Sequence, residues 1–210
     1  MSSQPINYSN NVFVNCPFDN AYNNLFEAII FTIHDCGFIA RCAREEDDSG
    51  NVRINKIMKI IDQCKYGVHD ISKADLDINT NLARFNMPLE LGIFLGAHQY
   101  STKNHYNKEK KSLVLDVEQY RYQQFISDLA GQDIASHNNS PQQIIINIRN
   151  FLYTNSKRKT IASGNFIFDR YVEFINNLPS FCDTLHWDRH HLVFLEYSTS
   201  VTEWIKQNKY

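Results

Sequence analysis

Short apolar runs alternate with helically spaced segments along about the first 120 residues, and this alternation restricts the chain's fold more than any other feature. Asn11-Val12-Phe13-Val14-Asn15-Cys16 is apolar for the length of one strand and stops at a turn, Pro17-Phe18-Asp19-Asn20. Residues 22–35 have helical spacing, and Gly37 closes them. Residues 38–43 predict a second strand. Ile54, Ile57, Met58, Ile60 and Ile61 give residues 54–64 one apolar helical face. Residues 66–72 predict a third strand and residues 112–116 a fourth, with a helix opening near Pro88 between them. Strand and helix in such alternation build a parallel sheet covered by helices, connected by right-handed crossovers. The expected class is α/β.

The remainder predicts helices. Ser140-Pro141-Gln142-Gln143 has the look of a capping box, and Ile144, Ile145, Ile148, Phe151 and Leu152 continue it with helical spacing. Residues 155–163 are polar and basic, as a linker would be. Residues 166–178 and 191–205 predict two aromatic-faced helices, a hairpin packed on the core or on another subunit. The expected organisation is an α/β domain over residues 1–153 and a C-terminal helical hairpin over residues 164–210.

In a sheet of this kind, ligands sit beyond the carboxyl ends of the strands. Those ends carry Asn15, Pro17, Phe18 and Asp19 after the first strand, Arg41 and Arg44 after the second, Asp70 and Ser72 after the third, and Asp116 after the fourth. The helix that opens at Asn86-Met87-Pro88 starts on the same rim. It is apolar at Leu89, Leu91, Ile93, Phe94 and Leu95, with Glu90 one turn in. Pro suits a first helical turn, where a missing N–H costs nothing. A carboxylate in such surroundings is paired, hydrogen-bonded or used. Glu90 is either a capping acid tied to first-turn N–H groups or a site carboxylate. Paired with Asp70, it could attack an anomeric carbon while its partner binds sugar hydroxyls or handles a proton.

The totals narrow the function. Lys and Arg number 21 against 23 Asp and Glu, so no basic footprint for nucleic acid is present. The longest apolar run, around Ala28-Ile29-Ile30-Phe31, is too short to span a bilayer. Five cysteines without CxxC spacing suggest buried thiols in a reducing cytoplasmic setting rather than a zinc site or a disulfide framework. His186, His190 and His191 lie close together, but adjacent histidines diverge on regular structure and no supporting ligand stands at metal spacing, so no metal is expected. There is no Walker loop and no GxGxxG fingerprint. Ser49-Gly50, in an acidic loop, is either a lid or a solvated turn. Asp128 and Asp133, around Gly131, either border the site from the far edge of the sheet or cap helices.

Val12-Phe13-Val14-Asn15-Cys16-Pro17-Phe18 followed by a helix resembles the opening of nucleoside 2-deoxyribosyltransferase-like proteins. Tyr66-Gly67-Val68-His69-Asp70 resembles that family's third strand, which ends in an aspartate. Pro88-Leu89-Glu90-Leu91-Gly92 through Gly96-Ala97 resembles its Glu-Leu-Gly helix, whose glutamate is the nucleophile. The resemblance implies a flavodoxin-like sheet, related to TIR domains that cleave the nicotinamide–ribose bond of NAD. It implies Glu90 and Asp70 as catalytic residues, and Asn15, Pro17 and Phe18 as lining the base pocket. With the neighbouring rim residues Asp19, Arg44, Ser72, Arg84, Asn86 and Met87, these make up the expected substrate site. Asn86-Met87 replaces the family's Gly-Thr, and its upstream acid is matched by Arg84, or loosely by Asp75 or Asp77. These departures favour hydrolysis of a nucleotide or NAD over deoxyribosyl transfer, since Arg41, Arg44, Arg53 and Arg84 could face phosphate. Solvated surface charge is the other reading of each arginine.

The expectation is therefore an N-glycosidase acting on a nucleotide or NAD. NAD or the nucleotide is the substrate, and no separate cofactor is expected. Charge balance, the short apolar runs and the cysteines lead to the expectation of a cytoplasmic protein bound to neither membrane nor nucleic acid, and the resemblance implies a homo-oligomer and a role as a bacterial anti-phage defence effector. A non-catalytic nucleotide-sensing module of the same fold is the alternative.

Overall fold

The computed structural model describes residues 4–45, 52–74, 76, 81–129 and 134–210. Ser49, Gly50, Asp75, Asp77, Gly131 and Asp133 lie outside them.

Five parallel strands form one sheet: β1 (Asn11–Asn15), β2 (Ile39–Arg41), β3 (Tyr66–Asp70), β4 (Lys111–Asp116) and β5 (Ile134–Ser136). Their order is β2-β1-β3-β4-β5, the flavodoxin-like arrangement. The helices are α1 (Asn23–Asp35), α2 (Arg53–Asp62), α3 (Asn86–Tyr100), α4 (Pro141–Asn155), α5 (Gly164–Leu185) and α6 (Phe194–Gln207). The expected α/β class and the C-terminal helices are both present. The fifth strand goes beyond the sequence reading, and α5 runs on past its predicted end at residue 178. Pro179 removes one N–H from that helix. Burial of Leu178 and Cys182 on either side carries the helix through.

The two-residue period of the strands divides the core. Val12, Val14, Val68, Leu113 and Leu115 face α1 and α4 in the main cluster. Phe13 faces the other way, onto Ile57, Ile60 and Ile61 of α2 and Phe94 of α3. Val114 meets Met87 and Leu91 of α3. α1 is buried on every side from Leu25 to Ile33 because α5 and α6 cover its outer face: Phe31 touches Tyr171, Phe174 and Trp204. Each fully buried Ile, Leu or Phe there contributes roughly 1.5–3 kcal/mol. This third layer explains why α1 has no polar stripe.

β1 is the turning point of the sheet. The chain passes from β1 outward to β2, then returns across it to β3. The connections leaving β1 and β3 diverge there and open a crevice at the carboxyl edge.

Candidate functional site

That crevice holds a cavity of about 430 Å³. Asn15, Cys16, Pro17, Phe18 and Asp19 line it from the end of β1 and the turn after it, Arg53 from the start of α2, and Arg84, Asn86, Met87 and Glu90 from the entry into α3. Eight of the eleven expected site residues thus share one cavity: Asn15, Pro17, Phe18, Asp19, Arg84, Asn86, Met87 and Glu90. Cys16 and Arg53 complete the wall. Glu90 also faces a smaller adjoining hollow with Arg53, Ile54, Ile57, Asn86 and Leu89.

Glu90 is 7% exposed. Its carboxylate makes no hydrogen bond or ion pair among the described residues, and the start of α3 has no side-chain cap. The capping-acid reading therefore has no bond behind it. Burial pushes the Glu90 carboxyl up to about 7, with the Arg53 guanidinium pulling weakly the other way. At neutral pH the group is held between its acid and its carboxylate form. Such a group can take or give a proton, or attack as a carboxylate, without leaving the physiological range.

The start of α3 is tied to the sheet by Asn15. Its Nδ2 donates to the Met87 carbonyl at 2.8 Å and to His69 Nδ1 at 3.1 Å. His69 is fully buried, and burial, aided by Lys110, lowers its imidazole to about 3, so the ring is neutral. With Nδ1 accepting, the proton sits on Nε2, which has no hydrogen-bond partner among the described residues. The ring instead meets Phe94, with centroids 4.9 Å apart at 67°. A chain of contacts thus runs from β3 through Asn15 to the turn that carries Glu90.

Asp70 is placed differently from the expected catalytic pair. It is fully buried and does not line the cavity. Its Oδ2 accepts from the Tyr22 hydroxyl and lies 3.1 Å from His137 Nε2, while Oδ1 accepts from the Ser72 backbone N–H at 2.8 Å. His137 Nδ1 accepts from the Asn139 N–H at 3.1 Å, and its Nε2, although beside Asp70, makes no hydrogen bond among the described residues. Beside it, burial raises Asp116 while Arg121 opposes, bonding Asp116 Oδ1 at 2.7 Å and the Ser72 carbonyl at 2.7 Å. Asp70 and Ser72 thus belong to a buried network that ties the ends of β3, β4 and β5 to the N-cap of α1, with Asp116 Oδ2 left without a hydrogen-bond partner among the described residues. The second carboxylate in the Glu90 cavity is Asp19. Its Oδ1 caps the Tyr22 N–H at 3.0 Å, and Oδ2 lies 3.5 Å from Arg84.

Arg44 also lies outside this cavity. Its guanidinium sits 4.6 Å from the Phe18 ring centroid and lines a neighbouring cavity that also has Phe18 and Asp19 in its wall. Tyr22 and His137, which surround Asp70, carry no sequence signal of that placement. Their roles depend on sheet order, and His137 follows the strand that the apolar pattern did not mark. No group of three or more His, Cys, Asp or Glu able to hold a metal exists among the described residues, and no helix among them is long and apolar enough to cross a membrane. Set against family models, curated proteins and solved structures, the chain matches none.

Proposed function

We propose that this chain is an N-glycosidase that cleaves the base–sugar bond of a nucleotide or of NAD, with Glu90 as nucleophile. One observation carries the reading. A carboxyl group lies almost buried, unbonded and held near neutrality, in the wall of a cavity at the turning point of a parallel sheet. The cavity volume suits a small polar ligand, and the likeness of the Glu-Leu-Gly helix supports the same chemistry.

In the proposed reaction the Glu90 carboxylate bonds to the anomeric carbon as the carbon–nitrogen bond breaks, and the bonding pair leaves with the base. A pyridinium base departs neutral, and another base takes up a proton. Water then attacks the same carbon, its oxygen replaces Glu90, and its proton is released. Asp19, rather than Asp70, shares the cavity and is the carboxylate suited to a sugar hydroxyl. Arg53 and Arg84 supply positive charge for an anionic substrate. As the resemblance implies, depletion of such nucleotides would suit a defence effector.

The test is base release. Purified protein is incubated with NAD, nucleotides and nucleosides, and products are followed by mass spectrometry. Glu90→Gln keeps shape and removes the nucleophile, and the expected loss is at least about a thousandfold, by analogy with removal of other covalent nucleophiles. A Glu90→Gln protein that still releases base at the parent rate would remove Glu90 from the chemistry.

A further inference from the structure

A second cavity, of about 700 Å³, lies between the turn after β1, the first turns of α1, Arg44 and the C-terminal helices. It shares Phe18 and Asp19 with the Glu90 cavity, so the two meet along that pair of residues. Its far wall is fixed in place. Arg189 donates from Nη1 and Nη2 to the two carboxylate oxygens of Glu27, each at 2.9 Å. Tyr197 donates its hydroxyl to the Glu27 carbonyl at 3.0 Å, and Asn23 Nδ2 donates to Glu27 Oε1 at 3.0 Å. Glu27 and Arg189 thereby neutralise each other, and Asp19 is engaged with Tyr22 and Arg84.

Arg44 is not neutralised in this way. It gives one hydrogen bond, to the Phe18 carbonyl at 3.0 Å, and has no carboxylate partner among the described residues. Its guanidinium lies over Phe18 and within 5.7 Å of the Phe26 centroid. Two aromatic faces hold the cation, and its remaining N–H donors form a planar fork suited to phosphate. His190 and His191 add donors on the C-terminal side, although His191 Nδ1 already lies 2.7 Å from Asp188. Asn20, Asn23 and Asn24 add amides.

We propose that this cavity is a second subsite, in which Arg44 binds the phosphate-bearing end of a ligand whose base–sugar bond lies at Glu90. The proposal rests on the N-glycosidase reading. The C-terminal segment thereby supplies part of the substrate site, and selectivity for phosphorylated over unphosphorylated compounds originates in the cavity that Arg44 lines, not in the one that holds Glu90. The phosphate can belong to a mononucleotide or to the linkage of a dinucleotide. The chemistry at Arg44 is the same for both.

The experiment compares base release from a nucleoside, its 5′-monophosphate and NAD, using the wild type, Arg44→Ala and Arg44→Lys. The expected result is a roughly 10- to 100-fold fall in the ratio of kcat/KM for phosphorylated against unphosphorylated substrate in Arg44→Ala, carried by KM. Arg44→Lys should fall between, because it keeps the charge and loses the fork. A larger loss with NAD than with the monophosphate identifies a dinucleotide, and equal losses identify the phosphate alone. A ratio unchanged by Arg44→Ala overturns the subsite and leaves Glu90 in place. If the wild type releases base from none of the three, the Glu90 reading falls, and calorimetric titration of ADP-ribose then decides the subsite alone. Binding at least tenfold weaker in Arg44→Ala supports it, and equal or undetectable binding in both proteins overturns it.

Discussion

Burial that holds a carboxyl near 7 makes its ionised form costly, and Glu90 has no bonded partner to offset that cost. Its folded pKa lies above the ordinary 4.5, so between those values the folded chain keeps a proton that the unfolded chain has lost. Stability therefore falls as pH rises through this window and levels off above the folded pKa. Glu90→Gln removes the term. The variant should be more stable than the wild type above pH 7 by up to roughly 3 kcal/mol, which is several degrees in Tm. The advantage should shrink toward pH 4.5. Paired thermal melts at pH 5 and pH 8 measure it, and a difference independent of pH would mean that Glu90 titrates as an ordinary surface acid. Glu90 was legible in the sequence because a lone carboxylate inside an apolar helix is conspicuous. The position of Asp70 at a strand end was legible too. Its partners were not, because Tyr22 and His137 reach it only once the sheet order is set.

β3 is the element on which the site's geometry turns, and its glycine shows how little room it has. A Cβ on Gly67 would lie 2.5 Å from His69 Nε2 and 2.9 Å from two ring carbons of Phe94. Both rings are buried, and His69 is bonded to the Asn15 that holds the start of α3. Gly67→Ala should therefore destabilise by about 1–3 kcal/mol through overpacking, even though alanine restricts the unfolded chain. A denaturation midpoint equal to the wild type's would show that the rings can give way. The neighbouring elements differ in how plainly the sequence announced them. β1 and β4 carry continuous apolar runs, Val12-Phe13-Val14 and Leu113-Val114-Leu115, which mark buried parallel strands, whereas β3 ends in the polar pair His69-Asp70. β5 has three residues and is defined by its register, Val114 with Ile134 and Asp116 with Ser136, rather than by any period. Gly37, read as the stop of α1, does adopt a positive φ of 81°. Pro179 gave the opposite lesson, since burial outweighed a local breaking signal.

At the scale of the molecule, the expected boundary between an α/β domain and a helical hairpin is crossed by one continuous apolar cluster that joins β1, α1, α4, α5 and α6. A buried ion pair crosses it as well. Arg170 of α5 bonds Asp35, at the end of α1, through Nε at 3.1 Å and Nη2 at 2.8 Å, and donates from Nη1 to the Asn208 carbonyl at 2.7 Å. It also lies 5.0 Å from the Trp204 ring centroid. Burial raises the Asp35 carboxyl even so, with Arg170 opposing. Taking the arginine away strands a carboxylate in the core, so Arg170→Met should cost about 3–5 kcal/mol at neutral pH. The loss should be smaller at pH 5, where an unpaired Asp35 can take up a proton. Arg170→Met combined with Asp35→Leu should recover most of it, because two apolar side chains of similar reach replace the pair. Equilibrium denaturation of the four proteins completes the cycle. A double variant no more stable than Arg170→Met alone would mean that Arg170 acts through Asn208 and Trp204, and that its hold on α1 is incidental. Recovery would mean that the charge at the end of α1 is what fixes the C-terminal helices there, and with them the wall of the Arg44 cavity.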